Sequence, residues 1–372
     1  MTNARDHRLS VLFLTRYPVS GASSRYRVFQ YLSHLEDLGI SCTVQPFMDE
    51  PMYRLGMSPG RHLAKLTTLI RAVAGRLRAL RHWRQFDALY LQRELLPFGP
   101  PLIERWLKRR GATILFDYDD ALFIKKPSRF NPAATLFRSP KKTVEMFRLA
   151  DCTVAGNDWL RDAAIGHGGQ SVTVEVAEDS ARFSVAHGAS GSSAPAPCTV
   201  GWLGSPSTAK YLRLIEEPLR RVAQRHPEIR WELMGGGDFC MPGVDWIIED
   251  WSLEAEVAAL SRFDIGLMPL PNERWALGKS GGKARTYMAA GVVPVVSAIG
   301  YNLELIEDGK TGFLCSDERS WEATLERIVG DAQLRLRVAR RARAFVEDRF
   351  SPERQAAKLA EVLHHVCRNR AA

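Results

Sequence analysis

Short apolar runs alternate with stretches of helical periodicity along most of the chain. In the first half the runs are LSVLFLT, SCTVQPF, DALYLQ, TILFDY, CTVAG and SVTVEVA, and in the second CTVGWLG, IRWELMG, VDWII, FDIGLMPL, VVPVVS and TGFLC. Runs of this length, rich in β-branched residues, predict buried strands, and the helices between them predict parallel sheets covered on their faces. The alternation breaks at residues 186–197, where Gly, Ser, Ala and Pro leave no apolar period. The reading is therefore α/β, with Rossmann-like domains over 1–184 and 198–350 joined by a linker at 185–197. A terminal helix over 351–372 is expected to pack back on the first domain.

A length of 372 residues suits two hydrophobic cores. The six cysteines are scattered without a close pair, which predicts free thiols rather than a zinc site or a disulfide framework. The opening residues MTNARDHRLS lack a signal-peptide pattern, and the longest weakly polar stretch, 289–300, is far short of the ~20 residues that span a bilayer. A cytoplasmic protein is expected. The net charge of +9 lies wholly in residues 1–184, with 27 Lys/Arg against 18 Asp/Glu, whereas the remainder balances at 24 and 24. Such asymmetry points to what the first half meets, such as an anionic acceptor or membrane. Residues 61–84 contribute strongly, with seven Lys/Arg and no acid around an apolar stripe of Leu63, Leu66, Ile70, Val73, Leu77 and Leu80. That helix could lie on an anionic membrane or pack its stripe on the sheet.

The richest chemistry lies in residues 272–312, NERWALGKSGGKARTYMAAGVVPVVSAIGYNLELIEDGKTG. Gly281 and Gly282 precede a helix carrying Lys283 near its start, so backbone N–H groups and the positive helix end would face a ligand such as a diphosphate. Lys279 and Lys283 would add point charges. A simple helix cap with solvated lysines fits the same residues. Trp251 and Trp275 are candidates for stacking on a base, or partial core.

The order GKSGGKARTYMAAGVVPVVS, then Gly300, Asn302, Glu304 and IEDGKTGFL, resembles the donor-binding half of the large group of retaining glycosyltransferases that includes sucrose and glycogen synthases, the group 1 or family-four type. The resemblance runs from about Val200 to Phe350 and is weaker before it. It implies the GT-B fold, two facing Rossmann-like domains with an interdomain cleft. It further implies transfer of a sugar from a nucleoside-diphosphate sugar to a hydroxyl acceptor, whether glycan, lipid-linked or small molecule, with retention and with no cofactor or metal. The donor diphosphate would fall on Gly281, Gly282 and Lys283, with Lys279 beside them. Lys210, in GWLGSPSTAK, would add a charge from the loop after the first strand, although Ser205 replaces the usual arginine. The two glutamates of the group, for donor-sugar hydroxyls and for the ribose, fall here at Gly278 and Thr286. Thr286 keeps only a hydroxyl for the ribose.

In the first half, RYPVSGASSRYRVFQYL places Gly21 and Arg25 at a strand-to-helix crossing, where the resemblance implies approach to the donor phosphate and the alternative is a capped helix. FDYDDALF sets Asp117, Asp119 and Asp120 at a strand end, a repulsive arrangement unless something basic or hydroxylated is bound. Asp119 and Asp120 are the catalytic candidates, orienting sugar hydroxyls, with a divalent-metal site or helix caps as alternatives. Asn157 and Glu178 are lesser candidates at other strand ends. A sugar-nucleotide epimerase or hydrolase, and a non-catalytic sugar-nucleotide- or membrane-binding subunit, are the rival functions. No nucleic-acid recognition motif is present.

Overall fold

Each apolar run becomes a strand in the computed structural model, which describes residues 8–57, 60–124, 140–183 and 197–371. The chain divides into two compact units, Met1–Ala177 with Pro352–Ala372, and Glu178–Ser351. The segment expected as a linker lies outside the described residues except for its last position.

In the first unit β1 (Leu9–Thr15), β2 (Ile40–Pro46), β3 (Ala88–Gln92), β4 (Ile114–Tyr118), β5 (Cys152–Ala155) and β6 (Ser171–Thr173) form one parallel sheet of order β2-β1-β3-β4-β5-β6. Its core joins Val11, Phe13, Tyr90 and Leu115 to Ala356, Leu359 and Leu363 of the helix Pro352–Ala371. Those last three recur at spacings of three and four, so one face of the terminal helix is buried in this unit.

The second unit holds β7 (Thr199–Leu203), β8 (Arg230–Met234), β9 (Trp246–Glu249), β10 (Ile265–Met268), β11 (Val293–Ser297) and β12 (Phe313–Cys315) in the parallel order β12-β11-β10-β7-β8-β9. The strand order reverses between β7 and β10, the kind of switch point at whose carboxyl end ligands bind in open α/β sheets. One packing detail sets the helix Gly282–Ala290 against that point. Gly266 in β10 has no side chain, and a Cβ there would lie 2.4 Å from the Tyr287 ring. The ring therefore sits directly on the sheet. Its hydroxyl donates to Leu267 O at 3.1 Å and accepts from Leu203 N at 3.1 Å, tying the helix to β7 and β10 together.

Both units also bury charge. Arg27, fully buried, bonds Asp117 at 3.0 and 3.2 Å through Nε and again through Nη2, while Tyr90 donates to the same carboxylate at 2.8 Å. Burial pushes the Asp117 carboxyl up, against the opposing pull of Arg27. Removing the arginine would leave a buried carboxylate with one neutral partner. We predict that Arg27→Gln lowers the unfolding free energy by about 3–5 kcal/mol, the usual cost of breaking a buried pair, measured as a drop in the denaturant midpoint at unchanged slope.

In the second unit Glu178 accepts from Thr286 Oγ1 at 2.7 Å, while its other carboxylate oxygen is buried without a hydrogen bond, its nearest cation being Arg182 Nη1 at 3.9 Å. Burial pushes its pKa up from 4.5 to about 7. Between those values the folded chain holds more protons than the unfolded one, so stability contributed by this group falls as pH rises through the window. Glu178→Gln keeps the acceptor for Thr286 and removes the titration. The variant should gain on order of 2–3 kcal/mol over the parent between pH 4.5 and pH 8, and an unchanged difference across that range would contradict the assignment.

Candidate active site

The helix Gly282–Ala290 starts at Gly281, whose φ of 66° lies in the left-handed region, and no side chain caps this end. A Cβ on Gly281 would lie 2.6 Å from Leu305 Cδ2, so the loop needs glycine twice over, for its backbone angle and for its space. Gly282 is exposed at the first helical position. Lys283 follows, half-buried, with its ammonium 4.4 Å from the centre of the Trp202 ring, and it makes no hydrogen bond or ion pair among the described residues. The lysine stem runs past the end of β7, since a Cβ on Gly204 would lie 3.0 Å from Lys283 Cε. Burial, and then the neighbouring Lys279 charge, hold the Lys283 pKa down to about 7. Lys279 is itself stacked 4.2 Å from the Trp275 ring. An open helix N-terminus, an approachable glycine loop and two lysines thus converge at the β7/β10 switch point, an arrangement suited to an anion.

Lys210 stands apart from this group in character. It is exposed at the start of a 3-10 turn, with its ammonium 5.4 Å from the Tyr211 ring. Thr286 is nearly buried, and its hydroxyl is already committed to Glu178 and to Gly282 O at 3.1 Å. A threonine lacks a charge, but its hydroxyl partner Glu178, far away in sequence, is an acid. Beside it the Arg285 guanidinium is fully buried, near the Phe350 and Tyr301 rings, with all three nitrogens unpartnered. Trp251 donates its indole N–H to Glu256 at 2.7 Å and packs on the core of this unit.

In the first unit the acidic cluster has its basic partner within the chain. Arg93, at the end of β3 with φ of 65°, donates from Nη2 to Asp119 Oδ1 at 3.2 Å and to Asp120 Oδ2 at 3.0 Å. Asp119 also accepts from Ser23 Oγ at 2.7 Å, and Gln92 Nε2 donates to the same hydroxyl at 3.0 Å. The structure therefore brings the Gly21–Arg25 turn and the Asp119–Asp120 pair together at one sheet edge. Gly21 permits the turn, since a Cβ there would lie 2.3 Å from Tyr17 Cβ. Arg25 is buried and donates to Ser20 O at 3.3 Å, which holds it against its own loop. Asn157 caps a helix by accepting from Leu160 N at 2.8 Å. Arg93 is the residue that sequence reasoning misses here, although its position after a strand is the same signal that marks Asp119. Among the described residues no group of three or more His, Cys, Asp or Glu is arranged to hold a metal ion.

The basic stretch forms the helix His62–Leu80. Its apolar positions do not share one fate. Leu80 is buried with Arg76, whereas Leu63 is 81% exposed and Ile70 60%, with Leu66 and Leu77 exposed beside them. Periodicity sets these residues along a helix, but the buried face is taken by Arg76, so most of the large apolar side chains point outward. None of the described helices is long and apolar enough to cross a membrane.

Comparison with known proteins agrees with the fold. Residues 197–331 match the family model described as glycosyl transferases group 1. No curated protein sequence matches the chain. Among solved structures, a glycosyltransferase from Rickettsia africae is similar over 98% of this chain and 100% of its own, at 13% identity and a TM-score of 0.68. Anabaena HepE in complex with UDP and glucose covers 96% and 100% at 15% identity and 0.67. Sucrose-phosphate synthase from Thermosynechococcus elongatus covers 96% and 99% at 15% identity and 0.65. The chain has the GT-B fold of these structures, and its residues 197–331 match the glycosyl transferases group 1 model.

Proposed function

We propose that this protein transfers a sugar from a nucleoside-diphosphate sugar to a hydroxyl acceptor with retention of configuration, and that the second unit handles the donor. The observation that carries the reading is Lys283, a lysine without an acidic partner among the described residues at an uncapped helix start, its pKa held down by burial and by Lys279. In this reading Gly281 and Gly282 admit the diphosphate to the backbone N–H groups, and Lys279 and Lys283 stabilise the charge that develops on it as the glycosidic bond breaks. Lys210 adds a peripheral charge. Such preorganised charge at a leaving group is the largest catalytic contribution available to a site without its own nucleophile. Asp119 and Asp120, held by Arg93 and Ser23, are proposed to orient sugar hydroxyls, with Gly21 and Arg25 shaping that edge. Glu178, oriented by Thr286, takes the place of the absent acid near the ribose. HepE, a structural neighbour, was solved with UDP-glucose, which makes uridine donors the first to try.

A diphosphate bound at Lys283 restores its charge, so binding takes up a proton. Calorimetry in buffers of different ionisation enthalpy should show that uptake between pH 7 and 9, with affinity for the nucleoside diphosphate falling as pH rises. Lys283→Ala should abolish the uptake and weaken the diphosphate roughly 10–100-fold, the worth of a hydrogen bond to a charged group, while the bare nucleoside binds as before. Equal diphosphate affinity in parent and variant would remove Lys283 from the site.

The exposed apolar side chains of the helix His62–Leu80, flanked by exposed Arg61, Arg71, Arg78 and Arg81, favour contact with an anionic membrane surface at the cytoplasmic side. Apolar burial and lipid charge would act together, each basic residue contributing about 1 kcal/mol near the surface. The protein should sediment with anionic vesicles at low salt, less at high salt, and far less after combined Arg71→Gln, Arg78→Gln and Arg81→Gln replacement. If the parent stays in the supernatant with anionic vesicles at low salt, the helix does not bind membrane.

A further inference from the structure

Two arginines at the carboxyl ends of β1 and β2 are treated differently from the rest of that sheet edge. Arg76 is fully buried and donates from Nη1 to Gln45 O at 3.1 Å and from Nη2 to Thr15 O at 2.6 Å, while its Nε has no partner. Arg16, directly after β1, is half-buried. Its Nη1 is shut off from solvent, and its guanidinium makes no hydrogen bond or ion pair among the described residues. Both guanidinium carbons stand 5.7 Å from the centre of the Phe47 ring, and that of Arg16 is also 5.9 Å from the Tyr17 ring.

The contrast with their neighbours is electrostatic. Arg27 has Asp117, and Arg93 has Asp119 and Asp120. No carboxylate bonds Arg16 or Arg76 among the described residues, and the two act on each other: burial first, then Arg16, bring Arg76 down to about 9, against a weaker opposing pull from the Glu104 charge. Aromatic faces hold guanidinium planes in place without neutralising them. A pair of desolvated cations with donors to spare is costly to keep unless an anion joins it. Two positive charges match a phosphoryl group, which carries about −1.5 to −2 at pH 7 and offers several acceptor oxygens to guanidinium forks.

We propose that Arg16 and Arg76, both in the first unit, form a subsite for a phosphoryl group, and that this group belongs to the acceptor. Its assignment to an acceptor rests on the transferase reading, whereas the anion binding itself does not. Arg76 also ties two strand ends, so Arg16 is the residue to replace.

The test titrates inorganic phosphate and glycerol 3-phosphate into Lys283→Ala protein, in which the other anion site is impaired, with and without Arg16→Gln. The second substitution should weaken both ligands at least tenfold, and Arg16→Lys should fall between. Nucleoside diphosphate binding to the Arg16→Gln single variant should match the parent, which reports an intact fold. Phosphate binding unaffected by Arg16→Gln, or absent from Lys283→Ala protein altogether, overturns the subsite. Failure of the parent to bind any nucleoside diphosphate would instead overturn the transferase reading and leave the phosphate result standing. Phosphatidylcholine vesicles with and without phosphatidic acid locate the source. Loss of phosphatidic-acid-dependent sedimentation in Arg16→Gln supports a lipid-borne phosphoryl group, and retention alongside weakened glycerol 3-phosphate binding supports a soluble one.

Discussion

A cation carried to the carboxyl edge of a parallel sheet leaves water behind and must recover the loss from a nearby negative charge or dipole. This constraint sorts the basic side chains of both units. Arg27 recovers it from Asp117, and Arg93 from Asp119 and Asp120. Lys283 and Arg16 make no hydrogen bond or ion pair with any described residue, and Arg76 recovers it from two carbonyls and, without bonding, from the more distant charge of Glu104. Positions where the chain leaves a charge uncompensated are where an external anion gains most, because the protein has already met the cost of desolvation. The fold places one such position at the β7/β10 switch point, where the uncapped helix adds its own positive end.

The same constraint separates two kinds of loop. In the first unit the Gly21 turn and the Asp119–Asp120 pair are knit by Ser23, Gln92 and Arg93 into a satisfied network. A satisfied network is rigid and directional, which suits orienting neutral hydroxyls. The Gly281–Lys283 loop is the opposite, with an open helix start and a partly discharged lysine. Its polar capacity is spare, which suits a charged leaving group. Tyr287 connects that loop to the sheet, since the ring contact allowed by Gly266 fixes the helix whose first turn carries Lys283.

Much of the fold is legible in the sequence because strands covered on both faces are written as continuous apolar runs, and helices between parallel strands are nearly obligatory. The GKSGGK order is legible for a related reason: only glycine fits a left-handed cap packed against Leu305. Pairings across sequence distance are not legible. Nothing near Asp119 announces Arg93, and nothing near Thr286 announces that its hydroxyl is spent on Glu178. Periodicity also cannot say which face of a helix is buried. In His62–Leu80 it aligns Leu63 and Ile70, yet tertiary contact goes to Arg76, whose two donors meet strand-end carbonyls.

The central claim is that the second unit is built around a donor diphosphate. The most direct measurement is a thermal-shift panel of UDP-, GDP-, dTDP- and ADP-sugars with the matching free nucleosides, since a ligand that binds only the folded chain raises its apparent stability. Sugars of at least one base should raise the melting temperature in a concentration-dependent way while the corresponding nucleoside does little. A panel in which no nucleoside-diphosphate sugar shifts the transition, or in which nucleosides shift it equally, would contradict it.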